Sequence, residues 1–188
     1  MRKLSVLVLA LGTLSLQGCF PVVATGVGTG VLMAEDRRTS GTYVEDQGIE
    51  LKAANRVDEK FKDKVHLNVT SYNRNVLLTG EAPTEEVKNE IGNIVKAVAN
   101  VHNVINEIAI AAPTSLVSRS NDSYITSKVK TFFIDANKFQ ANHVKVVTEN
   151  GVVYLLGLVK HKEADDAVEI ASTTGGVTKV VKVFEYLD

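Results

Sequence analysis

Apolar and polar positions fall into three regimes along the chain. Leu4–Leu16 is an almost unbroken apolar run, too short to span a bilayer as a helix. Residues 19–45 hold no sustained period and read as a tether, with glycines at 26, 28 and 30 and a charged, solvated Glu35-Asp-Arg-Arg38. From residue 46 onward, helical and strand periods alternate, and they do so twice. His66–Gly80 aligns with His143–Gly157 at a constant offset of 77, with six of fifteen positions identical. Upstream, Asp46, Ile49, Ala53 and Val57 match Asp122, Ile125, Val129 and Phe133 at an offset of 76. Downstream, Val101, Val104, Ile105 and Ile108 match Val177, Val180, Val181 and Phe184. The pattern predicts two copies of one small domain, 46–112 and 121–188, joined by a linker over 113–120.

Each copy predicts the order α-β-β-α-β. In copy two, Ile125, Val129, Phe132 and Phe133 recur at helical spacing, with Asp122 or Ser123 placed to cap the start. A hairpin follows, in which Asn150-Gly151 supplies the positive φ of a tight turn between strands 144–148 and 152–158. Copy one has Arg74-Asn75 at that place, so a less favourable turn is expected. The second helix carries Val87, Ile91, Ile94, Val95 and Val98 after a Pro83-Thr84-Glu85 start, and its counterpart carries Ala164, Ala167, Val168 and Ala171. Last strands are expected over 101–110 and 177–187. The fold class is α+β: two tandem domains, each a small three-stranded mixed sheet covered by two helices.

Sheet amphipathicity adds one constraint. The middle strand of copy two is apolar on both faces, with Val153 and Leu155 alternating with Tyr154, Leu156 and Leu158. Two helices cover only one face of a three-stranded sheet, so the other face needs a cover. Copy one is the economical candidate, because domains of about 65 residues gain from mutual support.

The N-terminal regime changes the compartment. Arg2 and Lys3 precede the apolar run, and Leu16-Gln17-Gly18-Cys19 follows it with the chain's single cysteine. This resembles the lipobox of a lipoprotein signal peptide, which implies that residues 1–18 are removed and that Cys19 is lipidated. Phe20 in place of Asp after that cysteine implies, by the same resemblance, export to the outer membrane. Several acyl chains on one residue anchor firmly, since each buried CH₂ contributes about 0.8 kcal/mol. Removal of residues 1–18 takes Lys and Arg from 21 to 19 against 22 Asp and Glu, leaving a charge near −3. That balance argues against nucleic acid as a partner. With its one cysteine committed to lipid, the chain has no disulfide framework.

The element order, the Asn150–Gly157 core and the Gly176-Val177…Val180 ending resemble the BON domain. A lipobox followed by two such domains resembles the dual BON-domain outer-membrane lipoproteins. That resemblance implies a non-enzymatic, lipid-anchored protein facing the periplasm, which binds anionic phospholipid and supports outer-membrane integrity. The alternative is a periplasmic protein-interaction adaptor for an envelope assembly machine, touching the membrane only through its acyl anchor.

No enzyme signature accompanies the repeat, and no catalytic residue or cofactor is expected. His66 and His143 share one repeat position at a strand start, no histidine pair has i, i+4 spacing, and no second cysteine exists, so no metal site is expected. Gly26, Gly28 and Gly30 alternate without a following Lys-Ser/Thr and do not make a phosphate loop. The candidate binding stretch is the first helix of copy two. With Tyr124 as zero, Lys128, Thr131 and Asp135 lie within about 40° on a helical wheel, and Ile125 and Phe132 lie on the adjoining arcs. An aromatic ring at headgroup depth, a lysine reaching phosphate and apolar groups dipping inward suit a bilayer surface. The lipid-binding set read here is Tyr124, Ile125, Lys128, Thr131 and Phe132.

Overall fold

The structure is a computed structural model that describes residues 36–188. The signal segment, Cys19 and most of the tether lie outside the described residues. The described chain folds as two α+β domains in tandem. The first runs α1 (Ser40–Phe61), β1 (His66–Tyr72), β2 (Asn75–Ala82), α2 (Glu85–Lys96), β3 (Asn103–Asn106) and β4 (Ala109–Ile110). The second runs α3 (Leu116–Ala136), β5 (Val144–Glu149), β6 (Val152–Val159), α4 (His161–Thr173) and β7 (Lys179–Tyr186). In each sheet the hairpin is antiparallel and the last strand returns parallel to the hairpin's second strand, which is therefore central. The single strand expected over 101–110 is broken into β3 and β4, both parallel to β2. The break turns Ile108 into the core.

Strand periodicity assigns the two faces of each sheet. In β2, Val76 and Leu78 point toward α1 and α2, and in β6, Val153 and Leu155 point toward α3 and α4. The opposite faces meet each other: Tyr72 and Leu77 of domain one form a buried cluster with Tyr154 and Leu156 of domain two. The sheets are thus the inner layers and the helices the outer ones. Burying each large side chain there contributes about 1.5–3 kcal/mol. Polar ties frame the cluster. Lys145 Nζ donates to Glu50 Oε1 at 2.9 Å, and the Asn73 and Asn75 amides donate to the Glu185 carboxylate.

Both first helices start earlier than their apolar stripes suggest. Thr39 caps α1, its hydroxyl accepting from Thr42 N–H, so the residues just before 46 are helix rather than tether. Arg37 and Arg38 are not solvated. The Arg37 guanidinium donates to both oxygens of Glu163 and to Leu158 O, at 2.6–2.8 Å. Arg38 is buried between Asp36 and Asp46, with its guanidinium 4.0 Å from the centre of the Tyr72 ring. Ser115, not Asp122 or Ser123, caps α3, which takes in residues 116–120 of the expected linker.

Asp122 has a different task. It is buried in the middle of α3, and its two oxygens accept the N–H groups of Asn150 and Gly151 at 2.9 and 2.8 Å. Asp46 does the same from α1, accepting from Asn73 N–H and Arg74 N–H and also from Ser71 Oγ. The copy-one turn is therefore Asn73-Arg74, one residue before the position expected. Both of its residues are left-handed, at φ 50° and 65°. A side chain there costs about 1–2 kcal/mol relative to glycine, and the buried carboxylate that grips both turn amides offsets it.

Candidate functional site

The outer face of α3 is built from a row of hydroxyls and a few large exposed side chains. Ser120, Ser123, Ser127 and Thr131 each donate to the carbonyl four residues earlier. Hydroxyls satisfied by their own helix make fewer demands on water, and the face is correspondingly less hydrophilic than its composition suggests. From this face Tyr124 projects 63% exposed and Phe132 41% exposed. The Lys128 ammonium lies 5.6 Å from the centre of the Tyr124 ring and donates to Gly175 O at 2.8 Å. An ammonium has three donors, so the bond to Gly175 O leaves capacity for a further acceptor.

The structure separates the five residues grouped by sequence. Tyr124, Lys128, Thr131 and Phe132 share the outer surface. Ile125 does not: it is 1% exposed and packs in the core with Val129 and Phe133, against Gly176. Its place one step round the wheel from Tyr124 puts it on the inward stripe. The sequence reading also missed Leu116 and Val117, because it started the helix after them. Val117 is 80% exposed and sits seven residues before Tyr124, two turns along nearly the same line. Lys130 and Asp135 are exposed as well. Among the described residues no helix is long and apolar enough to cross a membrane.

A second polar arrangement lies where the domains meet. His66 and Glu81 face each other across the β1–β2 pair, with His66 Nδ1 2.8 Å from Glu81 Oε2. Glu149, at the end of β5, comes from the other domain, and its Oε2 accepts from Asn68 Nδ2 at 2.8 Å. The ligand atoms of His66, Glu81 and Glu149 all lie within 4.8 Å of one another. His66 and Glu149 border a cleft of about 450 Å³ that is also lined by Arg119, Asp122 and Thr148. Spacing rules within one segment do not register such a group, since its members come from three strands. Nearby, burial pushes the Tyr154 phenol up to about 12, helped by the charges of Glu107 and Glu149.

Comparison with known proteins agrees with this architecture. The BON domain matches residues 45–112 and again 121–188. The chain is 40% identical to the Outer membrane lipoprotein DolP of Haemophilus influenzae, over all of this chain and 97% of that protein. It is 36% identical to a 21 kDa hemolysin of Actinobacillus pleuropneumoniae, over 81% of this chain and 79% of that one. A structural protein of the type III secretion system of Chlamydia trachomatis aligns over 77% of this chain at a TM-score of 0.31 and 17% identity, too loosely to bear on function. With two matched copies covering most of its length, the chain belongs to the BON domain family.

Proposed function

We propose that the protein binds anionic phospholipid through the outer face of α3 and, by doing so, supports outer-membrane integrity without catalysis. It is an outer-membrane lipoprotein, like the relative with which it shares its full length. One observation carries the lipid reading: among the described residues Val117, Tyr124 and Phe132 stand exposed on one helix beside Lys128. Tyrosine and phenylalanine sit well at headgroup depth, and a lysine snorkels toward phosphate. Asp135 shares the line of Tyr124 but lies about 16 Å further along the helix. Its carboxylate therefore marks the C-terminal limit of the contact, about one turn beyond Phe132.

The test uses soluble residues 20–188, which lack the acyl anchor, with vesicles that contain or lack anionic lipid. Binding that requires anionic lipid, with amide shifts clustered from Leu116 to Phe132, supports the proposal. Tyr124→Ala and Lys128→Glu should each weaken that binding while leaving the circular dichroism spectrum unchanged. Absence of binding at moderate salt moves the function to an envelope protein partner, with the acyl chains as the membrane contact.

A further inference from the structure

We propose that His66, Glu81 and Glu149 form a binding site for a divalent transition-metal ion that joins the two domains. Three potential ligand atoms, one imidazole nitrogen and two carboxylate oxygens, converge within 4.8 Å from three strands. The set is mixed nitrogen and oxygen, which suits zinc or manganese better than magnesium or calcium. With neutral histidine the ligands carry two negative charges, and a divalent ion cancels them.

Charge provides the independent argument. Glu81 is 3% exposed and Glu149 is 7% exposed. Among the described residues neither forms an ion pair with a lysine or arginine; Glu81 is paired with His66, and Glu149 takes the Asn68 amide. A buried carboxylate without a cation is costly, and a protonated His66 balances only one of the two. Both glutamates have a further hydrogen-bond donor, Asn68 for Glu149 and Thr114 for Glu81, whose N–H donates to it at 3.2 Å. Outer partners of this kind orient the ligands of metal sites. The cleft that His66 and Glu149 line, together with Arg119, supplies the entry path and room for water as a further ligand. Because two ligands belong to domain one and the third to domain two, the ion would act as a clamp between sheets.

The experiment is calorimetric titration of zinc chloride into the full-length protein in detergent, after chelator treatment. Zinc absorption-edge spectroscopy follows on the loaded protein. The expected result is one zinc per chain, with one imidazole and oxygen donors at about 2.0–2.2 Å. His66→Ala should lower the affinity at least about tenfold, as should Glu149→Gln, which keeps the side-chain shape. His161→Ala, which alters an exposed histidine elsewhere, should leave it unchanged. Absence of zinc binding by the folded wild type, or equal affinity in wild type and both cluster variants, overturns the site.

Discussion

Asp46 and Asp122 hold the same repeat position and do the same job for two hairpin turns, but they stand in different electrostatic surroundings. That makes their removal an internally controlled experiment. Asp122→Ala strips the acceptor from two turn amides, Asn150 and Gly151. A buried donor left unsatisfied, here Gly151 N–H, costs about 1–3 kcal/mol and the part-buried Asn150 N–H less, so the loss should be about 2–4 kcal/mol. Asp46→Ala removes the same two acceptors, releases Ser71 Oγ, and deprives buried Arg38 of one of its two carboxylates. Breaking a buried ion pair by removing one partner costs about 3–5 kcal/mol, here reduced because Arg38 keeps Asp36. The expected loss is about 4–6 kcal/mol, a large part of the 5–15 kcal/mol that stabilises a typical domain. Urea unfolding reads both variants, by circular dichroism and by the fluorescence of the five tyrosines, which no tryptophan obscures. Arg38→Met, alone and combined with Asp46→Asn, should give a coupling energy of about 1–3 kcal/mol. Equal losses for the two Ala variants, or a coupling near zero, would refute the claim that Arg38 makes the first turn more dependent on its aspartate.

Gly80 and Gly157 share a repeat position, and a Cβ on either would come within 2.1 or 2.4 Å of the carbonyl oxygen of His66 or His143. Gly80→Ala should therefore cost about 2–5 kcal/mol from overpacking and its positive φ, and a loss below about 1 kcal/mol in a denaturation curve would contradict that reading. Leu77→Ala opens a cavity between the sheets, with an expected cost of about 2–5 kcal/mol. Both domains should weaken together in hydrogen exchange, and protection lost in domain one alone would count against the shared core. The Arg37 hydrogen bond holds the Glu163 carboxyl below its ordinary 4.5, with burial working against it. A depressed folded-state value means the contribution is present above about pH 4.5 and is lost as pH falls through the folded value. The stability gap between wild type and Arg37→Gln should thus narrow on acidification below about pH 4.5, and a gap independent of pH there would show that Glu163 is not the partner that matters.

Periodicity carried the element order well, because both domains bury clean stripes: Ile49, Ala53 and Val57 in α1, and Ile125, Val129 and Phe133 in α3. Apolar residues on both faces of β6 pointed to a second covering layer, and the buried Tyr72–Leu77–Tyr154–Leu156 cluster is where the two sheets supply it for each other. Local rules failed where tertiary contacts used the same residues differently. An aspartate just before an apolar stripe resembles a helix cap, but Asp122 reaches across to a hairpin, and α3 extends back to Leu116. Arg37 and Arg38 resemble solvated charge, yet their carboxylate partners lie in both domains. On the candidate lipid face, wheel geometry set Tyr124, Lys128 and Thr131 on one line with Ile125 and Phe132 on the adjoining arc, and of those two the fold buries Ile125 and leaves Phe132 exposed. The grouping of His66, Glu81 and Glu149 depends on strand pairing and on the meeting of two domains, neither of which a linear pattern encodes.

Meeting sheet to sheet also bears on why the unit occurs twice in one chain. A single copy would expose a sheet face carrying residues such as Leu77 and Tyr72, and such a face seeks a partner of the same shape. Two free copies would find each other only at sufficient concentration. A short covalent connection makes the encounter intramolecular, at an effective concentration on the order of millimolar. Tandem duplication thereby turns a dilution-sensitive homodimer into a body that stays assembled as a single molecule, and leaves one copy's helices free to diverge toward a task the other does not perform.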